Sequence, residues 1–274
     1  MQVYLANSGR TGKYMTKKYN GADVYWTLCG TGKEKLLLLH GWGCSGTLMQ
    51  PVAERMKDHF QILIPDFPGH GKSGRPPEPW GVPEYAECLM QLLYDNEFIP
   101  CHVIAHSFGC RVAAWLAAEH PELFGKIIFT GAAGIRKTPS AEARKRSERY
   151  KRLKGICEQM KKVPLLNASA GKLENRLRQK YGSPDYNALD DEMRKTFVRV
   201  INQDLTDLYG KFSSSTLLIW GDADTETPLW MGQEMEKRIP DAGLVKFEGG
   251  THFAYLEQIE RFVIVARQFL KEDE

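Results

Sequence analysis

Short apolar runs recur along this chain with longer amphipathic stretches between them. Leu36-Leu37-Leu38-Leu39 is followed by similar runs at 60–64, 102–105, 126–130, 216–220 and 244–247. Runs this short and continuous suit strands buried on both faces of a sheet. Helical stretches at 52–58, 83–96, 110–120, 229–239 and 259–271 separate them. The alternation predicts an α/β fold, a mostly parallel twisted sheet flanked by helices. Sites in such sheets lie at the carboxyl ends of the strands. Before the first run, segments 13–19 and 23–28 joined by Asn20-Gly21 predict a β-hairpin.

One interval breaks the rhythm. From 135 to 212 no strong strand candidate occurs, and helical patterns are separated by Gly171, Gly182 and Pro184. Thr138-Pro139 suits a helix start, after which Tyr150, Leu153, Cys157 and Met160 share one helical face. The reading is a core of residues 1–134 and 213–274 carrying an inserted helical cap at 135–212. Of the 274 residues, 42% are hydrophobic and 26% charged, which suits a globular protein and argues against disorder. There is no apolar run of membrane-spanning length and no apolar signal segment near Met1, so a cytoplasmic protein is expected. Six scattered cysteines, with no Cys-x-x-Cys pair, fit reduced thiols better than a disulfide or zinc framework.

Four segments at predicted strand ends carry chemistry. Val103 to Gly109 runs from a strand through Ser107 into a helix, with small residues at Ala105 and Gly109. A nucleophile elbow needs this, because the serine sits on a strained turn that tolerates only small neighbours two positions away. Taken alone, the plain reading is a helix N-cap serine. Leu39-His40-Gly41-Trp42-Gly43 ends the first buried run, where glycines let backbone N–H groups turn toward an oxyanion. Trp42 and Phe108 are the candidate N–H donors, their side chains being left to line the pocket. Gly41, Gly43 and Phe253 are candidate substrate contacts.

Trp220-Gly221-Asp222-Ala223-Asp224 offers two acids after a late strand; Asp224 is favoured over Asp222 because Asp222 directly follows the glycine and suits a turn. Gly249-Gly250-Thr251-His252-Phe253 then places a histidine on a glycine loop after the last strand, as a general base requires. The order Ser107, Asp224, His252 is that of a serine triad on an α/β sheet.

These segments, with Asp66-Phe67-Pro68-Gly69-His70-Gly71-Lys72-Ser73, closely resemble the α/β-hydrolase superfamily from about Leu36 to the C-terminus, the cap excluded. The resemblance implies hydrolysis through an acyl-enzyme with no metal or organic cofactor. A serine at 107 disfavours the dehalogenases and epoxide hydrolases of this fold, which carry Asp there. The expected substrate is a small or medium carboxylic ester. Alternatives are a carbon–carbon bond hydrolase of vinylogous diketones and a non-catalytic ligand-binding protein. His40-Gly41-Trp42-Gly43 also resembles the opening motif of the carboxylesterase of biotin synthesis, whose substrate rides on an acidic carrier.

Charge bears on that last reading. Residues 136–162 hold 11 Lys and Arg against 3 Asp and Glu, although the whole chain carries only +3, so the remainder is acidic. The plain reading is a solvated helix face; the functional one is attraction of an acidic substrate or carrier to the cap. Gly69 to Gly74 matches Gly-x-Gly-x-x-Gly, but position 66 is Asp where a phosphate loop needs Gly, so nucleotide binding is discounted. Nucleic-acid and membrane partners are not expected, and the state is a monomer or homodimer. His106 reads as a packed strand residue and His40 as a loop-shaping one.

Overall fold

The computed structural model describes residues 13–136 and 141–271. Strands β1 (Lys13–Tyr19), β2 (Ala22–Cys29), β3 (Glu34–Leu39), β4 (Phe60–Pro65), β5 (Cys101–His106), β6 (Phe124–Thr130), β7 (Thr216–Gly221) and β8 (Ala242–Phe247) form one sheet in the order β1-β2-β4-β3-β5-β6-β7-β8. From β4 to β8 all neighbours are parallel; β1 and β2 pair antiparallel, as do β2 and β4. The hairpin turn is Asn20-Gly21, both at positive φ (45° and 83°), as a two-residue turn matched to strand twist requires.

Alternation within β3 shows how continuous apolar runs serve two faces. Leu37 and Leu39 join one core with Val103, Ala105, Phe129, Leu218 and Trp220, whereas Leu36 and Leu38 join the other with Ile62, Ile104 and Ile219. The first face is covered by α2 (Val82–Asp95), α3 (Phe108–Glu119) and α8 (Trp230–Arg238), the second by α1 (Gln50–Met56) and α10 (Ile259–Leu270). A short helix, α9 (Ala254–Glu257), precedes α10.

The chain separates into two compact units, residues 1–135 with 198–274, and residues 136–197. The second holds α4 (Ala141–Lys161), α5 (Asn167–Tyr181), α6 (Pro184–Ala188) and most of α7 (Asp191–Asn202). Within it α4 and α5 pack through Cys157 and Ala170, both fully buried, and Tyr150 lies 5.5 Å from the Tyr181 ring. The Thr138-Pro139 helix start falls outside the described residues.

The second unit ends well before the expected boundary at 212. The reason is hydrogen bonding: Arg111 of α3 donates to the carbonyls of Val200 and Gln203, Gln203 accepts from Val82 N–H, and Leu205 N–H donates to Gly134. These bonds make 198–212 part of the sheet unit. No helix among the described residues is long and apolar enough to cross a membrane.

Candidate active site

Ser107 joins the end of β5 to the start of α3 with φ 51° and ψ −105°, a sparsely populated conformation for a residue with a side chain. Tight packing on both sides holds it there. A Cβ at Gly109 would sit 2.8 Å from both Cβ and O of Leu39, and one at Gly41 would sit 3.3 Å from Cβ of Ser107. Glycine at both positions therefore lets the loop after β3 lie against the serine turn. Gly109 N–H donates to His40 O at 3.1 Å, and Ser107 N–H to Thr130 O at 3.1 Å.

That loop is shaped by His40, as the sequence suggested. Its Nε2 lies 3.0 Å from Phe67 N–H, which can only donate, so the ring proton is on Nδ1 and is given to Gly41 O at 2.7 Å. Burial holds the His40 pKa down to about 4, keeping the ring neutral. Trp42 follows, its ring edge-on to His70 at 4.7 Å and Phe108 at 5.2 Å. Phe108 is the first residue of α3, so its N–H has no intrahelical acceptor. Its side chain does not line an open pocket as expected. It is 2% exposed, packed against Phe67 of the loop after β4 and Tyr85 of α2. Gly43 is exposed with φ 71°.

The two acids separate clearly. Asp224 is buried, and its Oδ2 lies 2.8 Å from His252 Nδ1. Asp222 is exposed; its Oδ1 accepts from Gly249 N–H at 2.7 Å and its Oδ2 lies 3.7 Å from Lys246 Nζ. Asp222 thus ties together the loops after β7 and β8. Burial alone would raise the Asp224 pKa, but bonds from His252 and from Thr227 N–H and hydroxyl outweigh it and hold the carboxyl below its ordinary value.

His252 and Ser107 adjoin the same turn after β6. Thr130 O accepts from Ser107 N–H, while a Cβ on the next residue, Gly131, would lie 3.1 Å from His252 Nδ1. Gly131 has φ 52°, and the bare backbone lets the imidazole come close. Phe253 is half-buried, its ring 5.5 Å from His252. His106 is buried with Nδ1 3.1 Å from Thr130 O, and burial lowers its pKa to about 3, so it behaves as a packed neutral histidine.

Two further residues were given no structural role by the sequence reading. Asp66, at the end of β4, accepts from Gly46 N–H at 2.6 Å and Lys72 N–H at 2.7 Å, pinning the Gly-rich segment; Gly71 is required because a Cβ would meet Asp66 Oδ2 at 2.1 Å. Thr227 donates to Asp224 and lies beside His252. An Asp followed three residues later by Thr after a strand is a turn signal that could have pointed to it. Among the described residues no group of three or more His, Cys, Asp or Glu could hold a metal ion.

The family profile described as alpha/beta hydrolase fold matches residues 35–258. Pimeloyl-(acyl-carrier protein) methyl ester esterase of Chromobacterium violaceum is 26% identical over 257 residues, covering 91% of this chain and 98% of that protein. The esterase of the same name from Vibrio vulnificus (strain YJ016) is 27% identical over 255 residues, covering 88% and 95%. Among solved structures, a hydrolase from Pseudomonas aeruginosa PA01 superposes with a TM-score of 0.72 at 22% identity, covering 97% of this chain and all of that one. The enol-lactonase from Burkholderia xenovorans LB400 gives 0.72 at 18% identity, covering 94% of this chain and all of its own. The two structural likenesses are likenesses of fold.

Proposed function

The chain belongs to the α/β-hydrolase fold family, and on that premise we propose that it is a serine esterase in which Ser107 is the nucleophile, His252 the general base and Asp224 its orienting acid. The observation that carries the reading is the 2.8 Å bond from His252 to Asp224, made beside a serine strained at a strand-to-helix turn. The Asp224 carboxylate keeps the imidazole proton on Nδ1, leaving Nε2 to take the Ser107 proton. The hydroxyl oxygen attacks the ester carbonyl, and the N–H groups of Phe108 and Trp42 hold the oxyanion. Expulsion of the alcohol leaves an acyl-serine, and water activated by His252 then releases the acid.

The substrate in this reading is a small or medium carboxylic ester. Relatives named for esters on an acyl-carrier protein, with 25–27% identity over most of the chain, support an acyl group presented by a carrier protein. The density of Lys and Arg in α4 favours an acidic one, since exposed Arg144, Lys145, Lys151 and Arg152 make an attractive field for it.

Labelling with a fluorophosphonate tests the chemistry: wild type should be modified and Ser107→Ala should not. An unlabelled wild type overturns the reading. A methyl acyl ester presented free and on an acidic carrier tests the partner. The carrier form should have the higher kcat/KM at low salt, an advantage that falls when Lys145, Lys151 and Arg152 are changed to Glu; equal rates for both forms would remove the carrier.

A further inference from the structure

The Asp224 carboxylate has all its acceptor positions filled, and Thr227 supplies half of the donors. Oδ1 accepts from the N–H groups of Glu226 and Thr227, each at 2.9 Å. Oδ2 accepts from Thr227 Oγ1 at 2.8 Å and from His252 Nδ1 at 2.8 Å. With four donors on two oxygens, the carboxylate cannot pivot without losing a bond. Thr227 is itself fixed from behind. Its carbonyl accepts from Trp220 Nε1 at 2.6 Å, and Trp220 is fully buried on β7 over Gly232, where a Cβ would lie 2.7 Å from the indole.

The Thr227 hydroxyl does more than complete the shell. Its oxygen lies 3.2 Å from His252 Nδ1, so once its own proton is given to Asp224, its lone pairs face the imidazole N–H. The N–H then has Oδ2 as near acceptor and Oγ1 as second, which confines the ring in its plane. We propose that Thr227 is a positioning residue: its hydroxyl, anchored through Trp220, aligns the Asp224 carboxylate and the His252 ring for proton transfer at Ser107. The inference rests on the serine-esterase reading and deepens it. Thr227 acts through its neighbours and touches no reacting atom.

The test compares Thr227→Val, which keeps the shape and removes the hydroxyl, with Thr227→Ser, which keeps the hydroxyl. Two readouts are taken: the rate of fluorophosphonate labelling, and the proton NMR signal of His252 Nδ1–H in folded, substrate-free protein. Thr227→Val should be labelled about tenfold more slowly, the scale of one charge-assisted hydrogen bond. Its Nδ1–H signal should move upfield and exchange faster, while Thr227→Ser recovers most of the rate and the signal. A purely structural role would lower yield or stability in both variants and leave the signal of folded protein in place. Thr227→Val labelled at the wild-type rate with an unmoved signal overturns the inference. If wild type is not labelled at all, the esterase reading fails instead, and the NMR comparison still decides the role of Thr227.

Discussion

Asp224 Oδ2 and His252 Nδ1 meet at 2.8 Å, although 28 positions separate them, because the loops after β7 and β8 lie side by side. Asp222 supports that proximity without touching the histidine, through its side-chain bond to Gly249 N–H. The two acids should therefore respond differently to the same change. Asp224→Asn replaces the acceptor of the Nδ1 proton and favours the wrong tautomer, so kcat should fall by about 10³ to 10⁴-fold. Asp222→Asn retains an oxygen for Gly249 and should cost less than about tenfold. Steady-state kinetics on a p-nitrophenyl ester measure both. A larger loss for Asp222→Asn would reverse the assignment.

The depressed Asp224 pKa also has a stability consequence. A carboxyl whose folded pKa lies below its unfolded value, near 3.9, stabilises the native state at every pH above that unfolded value. The contribution is lost as pH falls through the folded value. Urea midpoints of wild type and Asp224→Asn should then differ above about pH 4 and converge as pH falls below it. A gap that persists undiminished to about pH 3 would show that Asp224 is not held ionised by its partners.

Strain at Ser107 gives a third expectation. With φ 51° and ψ −105°, any side chain there pays about 1 to 3 kcal/mol, whereas glycine is spared it. Glycine also loosens the unfolded chain, at a cost of about 0.4 to 1 kcal/mol. The first effect is the larger. Ser107→Gly should accordingly be more stable than Ser107→Ala by about 1 kcal/mol, seen as a higher urea midpoint. Equal midpoints would mean that the turn relaxes without help.

Strands were legible because burial on both faces writes itself as continuous apolar runs. Leu36 to Leu39, bounded by charge and by His40-Gly41, fit such a strand, and the predicted run 216–220 differs from β7 by one residue. The order of strands was not legible, since nothing in β2 announces that it pairs with β4 across the Trp26 and Pro65 register. At the site, residues with distinctive chemistry stood out: Ser107 between small neighbours, and His252 after two glycines. The roles of Thr227 and Asp66 did not, because hydroxyls and carboxylates are common in turns and what they do depends on what folds against them. The burial of the Phe108 side chain was not legible for the related reason that its ring partners, Phe67 and Tyr85, come from elsewhere in the chain. The inner edge of the helical insert was misplaced because Val200 and Gln203 are claimed by Arg111, a contact 89 and 92 positions away in sequence.

Arg111 yields the last expectation. Its guanidinium is buried and donates to Val200 O at 3.2 Å and to Gln203 O at 2.9 Å, at the C-terminal end of α7. Carbonyls there lack the usual i+4 donors and carry the negative end of the helix dipole, so a cation is favoured. Arg111→Met preserves much of the apolar stem but removes the charged donor from both carbonyls, leaving Val200 O with the Gln203 N–H at 3.3 Å. The expected cost is about 2 kcal/mol, with Arg111→Lys recovering part of it through one point charge. Because the same segment is pinned by Leu205 N–H on Gly134 O at 3.0 Å, loosening it should speed hydrogen exchange at the Leu205 amide more than at Leu218 in the sheet. A wild-type denaturation midpoint with unchanged exchange at Leu205 would show that the buried cation is not what ties 198–212 to the sheet.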